Sequence, residues 1–123
     1  AEKGLNISNE TASFVLPIGA TVNMDGTSCY QSIAAVFLAQ VIGIDLTLTQ
    51  MLTIILTSTL SSIGTPGIPG GSIVMVMIVL SSIGIPIESL ALIIGIDRPL
   101  DMLRTVTNVT GDTTVACIVD ETI

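Results

Sequence analysis

From Leu90 to Val119 the chain is largely apolar, yet it carries Asp97, Asp101, Arg104, Thr105, Asn108 and Asp112 at intervals of four, three, one, three and four residues. At about 100° per residue, a helix places these six side chains within an arc of roughly 100° on one face. An ionised side chain inside a hydrocarbon-length helix costs several kcal/mol unless it faces protein, water or a bound ion. A stripe of three carboxylates, one guanidinium and two polar groups therefore reads as a binding site at membrane depth.

The composition agrees. Half of the 123 residues are hydrophobic and 11% are charged, against about 25% charged in soluble domains. Mean hydropathy is +0.90. Eleven glycines, with many Ser and Thr, let helices approach closely where packing rather than water exclusion holds them together. The net charge of −7 is not an acidic surface, because Asp25, Asp97, Asp101 and Asp112 lie inside apolar stretches. Lys3, Arg98 and Arg104 are the only bases, so no nucleic-acid footprint exists. Cys29 and Cys117 both fall within predicted spans and form no paired motif; two buried, inert thiols are expected. The first residue is Ala rather than Met, and the chain reads as part of something longer.

Three apolar blocks follow one another, over residues 12–44, 46–84 and 87–119. A simple span needs about 20 residues, so the first two are too long for one helix, and both are interrupted. TVNMDGT, at 21–27, divides the first block. Gly26 frees the backbone there, and Asn23 and Asp25 compete for its hydrogen bonds. Non-helical backbone at membrane depth survives only where it is buried in protein or lines a cavity. The other reading of these residues is a surface loop between two short soluble helices. In the second block IGTPGIPGG, at 63–71, separates two arms, each too short to span. That pattern predicts a re-entrant hairpin whose half-helix ends present unpaired amides and carbonyls at the tip. A phosphate-binding loop is excluded, because no Gly-Lys-Ser/Thr follows. In the third block Pro99 is expected to kink the helix or change its pitch. Arg98 is expected to point away from the stripe and to snorkel toward an interface.

Four interior carboxylates face one interior guanidinium, an excess that demands protons or cations. The donors are all oxygens; without His or paired Cys, zinc and copper are disfavoured and a hard ion is favoured. Several weak sites with few carboxylates each suit Na⁺ better than Ca²⁺. Arg104 offers a rigid fork that matches a carboxylate, and Asp101 can accept from an ammonium. A ligand carrying both groups would satisfy them together; i,i+3 spacing equally permits a pair between the two residues, and both readings stay open. An intramembrane aspartyl protease would need two carboxylates sharing a proton across adjacent helices, whereas here the aspartates crowd one helix beside Arg104. A passive channel would show rings from repeated subunits rather than one asymmetric cluster.

LPIGATVNMDGT (16–27), SSIGTPGIPGGS (61–72) and DRPLDMLRTVTNVTGD (97–112) together resemble the dicarboxylate/amino acid:cation symporter family, which includes the glutamate and aspartate transporters. The resemblance runs from about Ala12 to the end of the third block. It implies an all-α membrane protein: an unwound transmembrane helix, a re-entrant hairpin acting as an external gate, and a polar-striped last helix. Residues 1–123 would be the C-terminal part of the transport domain of an elevator-type carrier. The whole would be trimeric and multi-pass, in the plasma membrane or a bacterial inner membrane. The missing remainder would supply the trimerisation scaffold and a first hairpin with a serine-rich tip.

Carried over residue by residue, the resemblance implies that Arg104 holds a substrate side-chain carboxylate with help from Thr27. Asp101 and Thr105 would bind the amino group, Asn108 the main-chain carboxylate, and backbone at Ile68 and Gly70 would close over the ligand. One Na⁺ site would use Asp112, Asn108 and carbonyls of Gly19 and Asn23. A second would use carbonyls of Thr21, Ser62, Ile63 and Thr65 near the Met24 sulfur. A third would use Asn23 and Asp25 with partners from an earlier helix. Asp97 is expected to act only behind these contacts. The expected function is Na⁺-coupled symport of acidic amino acids, the alternatives being Na⁺- or proton-coupled symport of neutral amino acids or C4-dicarboxylates. Two residues depart from the family pattern: Pro66, where Ala is frequent and which would stiffen the hairpin tip, and Ser72, where Gly is frequent and backbone approaches substrate.

Overall fold

The computed structural model describes residues 1–65, 68 and 70–123, and among these every regular element is helical. A short helix α1 (Glu2–Leu5) precedes α2 (Asn9–Val22), α3 (Asp25–Val41), α4 (Leu48–Ser62), α5 (Gly71–Ser82) and α6 (Ala91–Thr122). A 3₁₀ turn at Ile87–Leu90 leads into α6.

The break in the first block is narrower than TVNMDGT suggests. Only Asn23 and Met24 leave the helical path, and Asp25, Gly26 and Thr27 already form the first turn of α3. The Asn23 N–H still bonds the Gly19 carbonyl at 2.9 Å and the Ser28 N–H the Met24 carbonyl at 2.9 Å, so the interruption costs little backbone bonding. Local signals set the remaining boundaries. The Ser8 hydroxyl caps α2 by accepting from the Thr11 N–H at 3.2 Å. Thr47 and Gln50 form a reciprocal capping box at the start of α4, worth about 1 kcal/mol. The Gln50 Nε2 also donates to the Ile83 carbonyl at 3.1 Å, fastening the start of α4 to the end of α5. Helices α3 and α5 both stop at a glycine with positive φ, Gly43 at 76° and Gly84 at 77°. In each the next N–H folds back, Ile44 to the Ala39 carbonyl and Ile85 to the Leu80 carbonyl, a closure that glycine permits at no steric cost.

Cross-helix bonds give the topology. Ser8 meets Asp120, Asn23 meets Asp112, Gly26 meets Asn108 and Tyr30 meets Asp97, so α6 runs antiparallel to the α2–α3 rod. Ser32 meets Ser58 and Gln31 meets Ser61, so α4 runs antiparallel to α3. Helices α4 and α5 pack on each other as the two arms of a hairpin. Leu38, Ile54, Val76, Val79 and Leu80 form the dry centre between the hairpin and α3, closed by Leu90 and Ile93. Ala34, Ala35 and Ala39 keep the α3 face shallow, which lets both hairpin arms approach.

No helix among the described residues is long and apolar enough to cross a membrane. The first five are too short, and the 32 residues of α6 carry Asp97, Arg98, Asp101 and Arg104 in close succession. Large apolar side chains nevertheless cover the outside, among them Phe14, Ile33, Leu56, Leu60, Leu103 and Val106. Helix α6 runs continuously through Pro99, whose ring deletes a single backbone bond in a helix packed against α2 and α3. Two local expectations are corrected. Arg98, though exposed, reaches back to Asp101 with Nη1 3.7 Å from Oδ2, since i,i+3 spacing brings the two together. Cys29 is exposed and Cys117 half-buried, both as free thiols; the Cys29 side of α3 faces an open groove rather than a helix. The expectation that Pro66 stiffens the hairpin tip lies outside the described residues.

Candidate functional site

Helix α6 presents its stripe to the break between α2 and α3, and Gly26 sets the spacing there. A Cβ on Gly26 would lie 2.9 Å from the Arg104 carbonyl oxygen, which is backbone and cannot turn aside, whereas a Cβ on Gly19 would displace the Asp112 side chain. Gly26 then donates its N–H to Asn108 Oδ1 at 2.8 Å. The Asn108 amide donates in turn to the Met24 sulfur and to Thr27 Oγ1, each at 3.2 Å. Thr27, Met24 and Asn108 are thus one connected group.

Arg104 is the centre of the second group and is 5% exposed. Its Nη1 and Nη2 both lie 3.2 Å from Asp97 Oδ1. Nη2 also donates to Asp101 Oδ1 at 2.9 Å and to Ser72 Oγ at 2.7 Å. The guanidinium stacks over the Tyr30 ring, 3.9 Å from its centroid, and the Tyr30 hydroxyl donates to Asp97 Oδ1 at 3.0 Å. In this arrangement Asp101 and Arg104 do pair, but the pair is one edge of a larger network. The buried Arg104 Nε–H has no acceptor among the described residues.

A cavity of about 340 Å³ opens onto both groups. Thr27, Asp101, Arg104, Thr105, Asn108 and Asp112 line it with Met24, Thr65, Ile68 and Ser72. Most of the residues expected to hold substrate therefore share one space. Thr105 donates its hydroxyl to the Asp101 carbonyl at 2.9 Å, keeping its oxygen lone pairs available. Gly70 stands just before α5 with φ of 80°, and its carbonyl accepts from the Ile73 N–H.

The residues expected to hold cations divide. Asp112 is 7% exposed, and its one described partner is the Asn23 amide at 2.9 Å. A buried carboxylate without a cationic partner is chemically suited to Na⁺. The Gly64 N–H donates to the Thr21 carbonyl at 2.8 Å, which brings the end of α2 against the Ser62–Thr65 stretch. Ser62 and Thr65 are buried there, whereas Ile63 is exposed. Asn23 and Asp25 line different cavities. Asn23 turns to Asp112, and Asp25 lines a separate apolar groove of about 630 Å³ between α3 and α6. Among the described residues, no three carboxylate or thiol side chains converge on one point.

Two contacts on Arg104 were not expected from sequence. Tyr30, the only tyrosine in the chain, follows Thr27 by three residues, so the same helix face carried the signal. Ser72 stands out in the sequence as a departure where glycine is frequent and backbone approaches substrate.

A family model for the sodium:dicarboxylate symporter family matches residues 1–122. Among similar proteins, excitatory amino acid transporter 4 of Mus musculus is 49% identical over 119 residues, covering 97% of this chain and 21% of that protein. Excitatory amino acid transporter 1 of Ambystoma tigrinum is 49% identical over 119 residues, 97% of this chain and 22% of that protein. An excitatory amino acid transporter of Caenorhabditis elegans is 43% identical over 118 residues, 96% of this chain and 24% of that protein. The chain spans about a fifth of the length of these relatives.

Proposed function

The chain belongs to the sodium:dicarboxylate symporter family, and on that footing we propose that it forms the C-terminal part of the transport domain of a carrier moving acidic amino acids together with Na⁺. The observation that carries this reading is Arg104, 5% exposed and with an Nε–H that meets no acceptor among the described residues, standing beside Asp101 in one cavity. A buried guanidinium is matched by a carboxylate, and the neighbouring Asp101 by an ammonium. In this reading Arg104 and Thr27 take the substrate's side-chain carboxylate, Asp101 and Thr105 its amine, and Asn108 its main-chain carboxylate. Backbone at Ile68 and Gly70 approaches from the hairpin. To bind, the substrate carboxylate shares Arg104 with Asp97, and the Tyr30 ring keeps the guanidinium plane in place.

Na⁺ is a co-transported substrate here. Asp112 supplies the charge for one ion, with Asn108 and the carbonyls of Gly19 and Asn23. Thr21, Ser62, Ile63 and Thr65 supply carbonyls for a second ion near Met24. Asp25 and Asn23 would join a third only with partners from elsewhere in the full protein. The apolar outer face supports residence in a lipid bilayer, in the plasma membrane or a bacterial inner membrane. The elevator mechanism and the homotrimer belong to the same proposal. Arg104 disfavours neutral amino acids as substrate, and Asp101 disfavours dicarboxylates lacking an amine.

The test is competition uptake by the full-length carrier in proteoliposomes, using aspartate, serine and succinate. Arg104→Cys should weaken aspartate by about a hundredfold, or about 3 kcal/mol, because a desolvated charge pair is lost, while serine is spared. Asp101→Asn should weaken both amino acids. Equal losses for aspartate and serine in Arg104→Cys would contradict the assignment.

A further inference from the structure

Ser72 is the second residue of α5, is 5% exposed, and is the hairpin's contact with the Arg104 guanidinium. The Nη2 of Arg104 has two hydrogens but three acceptors around it: Ser72 Oγ at 2.7 Å, Asp101 Oδ1 at 2.9 Å and Asp97 Oδ1 at 3.2 Å. Two of the three are carboxylates, which hold a guanidinium more strongly than a neutral hydroxyl does. Ser72 is therefore the acceptor that yields when another carboxylate arrives. It is also the only one of the three that can donate. Its own hydrogen meets no acceptor among the described residues, and the side chain lines the 340 Å³ cavity.

We infer that Ser72 is a selectivity residue, whose hydroxyl reverses from accepting from Arg104 to donating to a ligand carboxylate placed on that guanidinium. The inference rests on the acidic amino acid reading of the cavity and adds to it a side-chain donor from the hairpin. Helix α5 is then linked to Arg104 in both conditions, directly through the hydroxyl or through the ligand's carboxylate. A neutral amino acid has no second carboxylate, leaves Ser72 on Arg104 and gains nothing from it. Glycine or alanine at 72 would offer neither the acceptor nor the donor.

Equilibrium binding of aspartate and of alanine to the purified full-length carrier at saturating Na⁺ tests this. Ser72→Ala should weaken aspartate by about tenfold, the scale of one hydrogen bond to a charged group, and change alanine by less than about twofold. Ser72→Thr keeps a hydroxyl and should restore most of the discrimination. Unchanged aspartate affinity in Ser72→Ala, equal losses for both ligands, or a Ser72→Thr variant that discriminates no better than Ser72→Ala would each overturn the inference. Failure of the unsubstituted carrier to bind aspartate would instead overturn the acidic amino acid reading itself.

Discussion

Gly26→Ala isolates the contact on which the site geometry depends. An added Cβ would stand 2.9 Å from the Arg104 carbonyl oxygen, 3.1 Å from the Arg104 Cα and 3.1 Å from the Thr107 Cβ. Two of these atoms are backbone of α6 and cannot swing aside, so α3 and α6 must separate. Overpacking of this kind costs about 1–3 kcal/mol, and the rigid neighbours place it in the upper half of that range. Alanine returns up to about 1 kcal/mol of helix propensity, leaving a net loss of about 1–2 kcal/mol. The same separation lengthens the 2.8 Å bond from the Gly26 N–H to Asn108, so aspartate affinity should fall as well. Gly95→Ala is the matched control, since a Cβ there meets nothing within 4 Å. It should stabilise the protein by up to about 1 kcal/mol. Denaturant unfolding of the full-length carrier in detergent, followed by helical circular dichroism, reads both. A Gly26→Ala protein as stable as Gly95→Ala would refute the claim that glycine sets the α3–α6 approach.

Asp112→Asn keeps the shape of a side chain bonded to Asn23 at 2.9 Å but removes its charge. A unit charge near a cation contributes up to about 4 kcal/mol at an effective dielectric of 20, so the Na⁺ concentration for half-maximal uptake should rise tenfold or more; an unaltered Na⁺ dependence would count against the site. At the chain ends, the Ser8 hydroxyl donates to Asp120 at 2.6 Å and holds its carboxyl below the usual range, with help from Thr11 and the Ser8 amide. A depressed folded-state pKa gives stability that is present above the unfolded value and lost as pH falls through the folded one. Protection of the Asn9–Ala12 amides, taken relative to their intrinsic exchange rate at each pH, should therefore fall on acidification in the parent protein, and already be low at neutral pH in Ser8→Ala. Identical profiles in the two proteins would remove the clasp from the account.

Legibility in the sequence followed the range of the interaction. The broken rod, the two hairpin arms and the striped helix were readable because periodicity, glycine, proline and the density of polar residues are local signals. The stripe from Asp101 to Asp112 also fixed one wall of the cavity, since helical spacing alone puts those side chains on one face. What faces the stripe was less visible. Tyr30 and Ser72 reach Arg104 from α3 and α5, and the separation that allows it depends on how shallow alanines and buried valines pack between them. The extent of the break was overestimated for a similar reason. Asp25, Gly26 and Thr27 look like loop residues in isolation, yet the bond from Gly26 to Asn108 and the contact with the Arg104 backbone hold them in a helical turn. Arg98 was placed by its angle on the helix, and the length of its side chain carried it to Asp101 instead.

The site is proposed to belong to a carrier in which acidic amino acid and Na⁺ move together. Uptake of labelled aspartate by the full-length protein in proteoliposomes tests it, with an inward Na⁺ gradient against an equal gradient of choline. Concentrative uptake with Na⁺ that collapses in choline, and that excess glutamate but not excess alanine suppresses, is the predicted result. Aspartate uptake of equal rate and extent in choline would contradict the account.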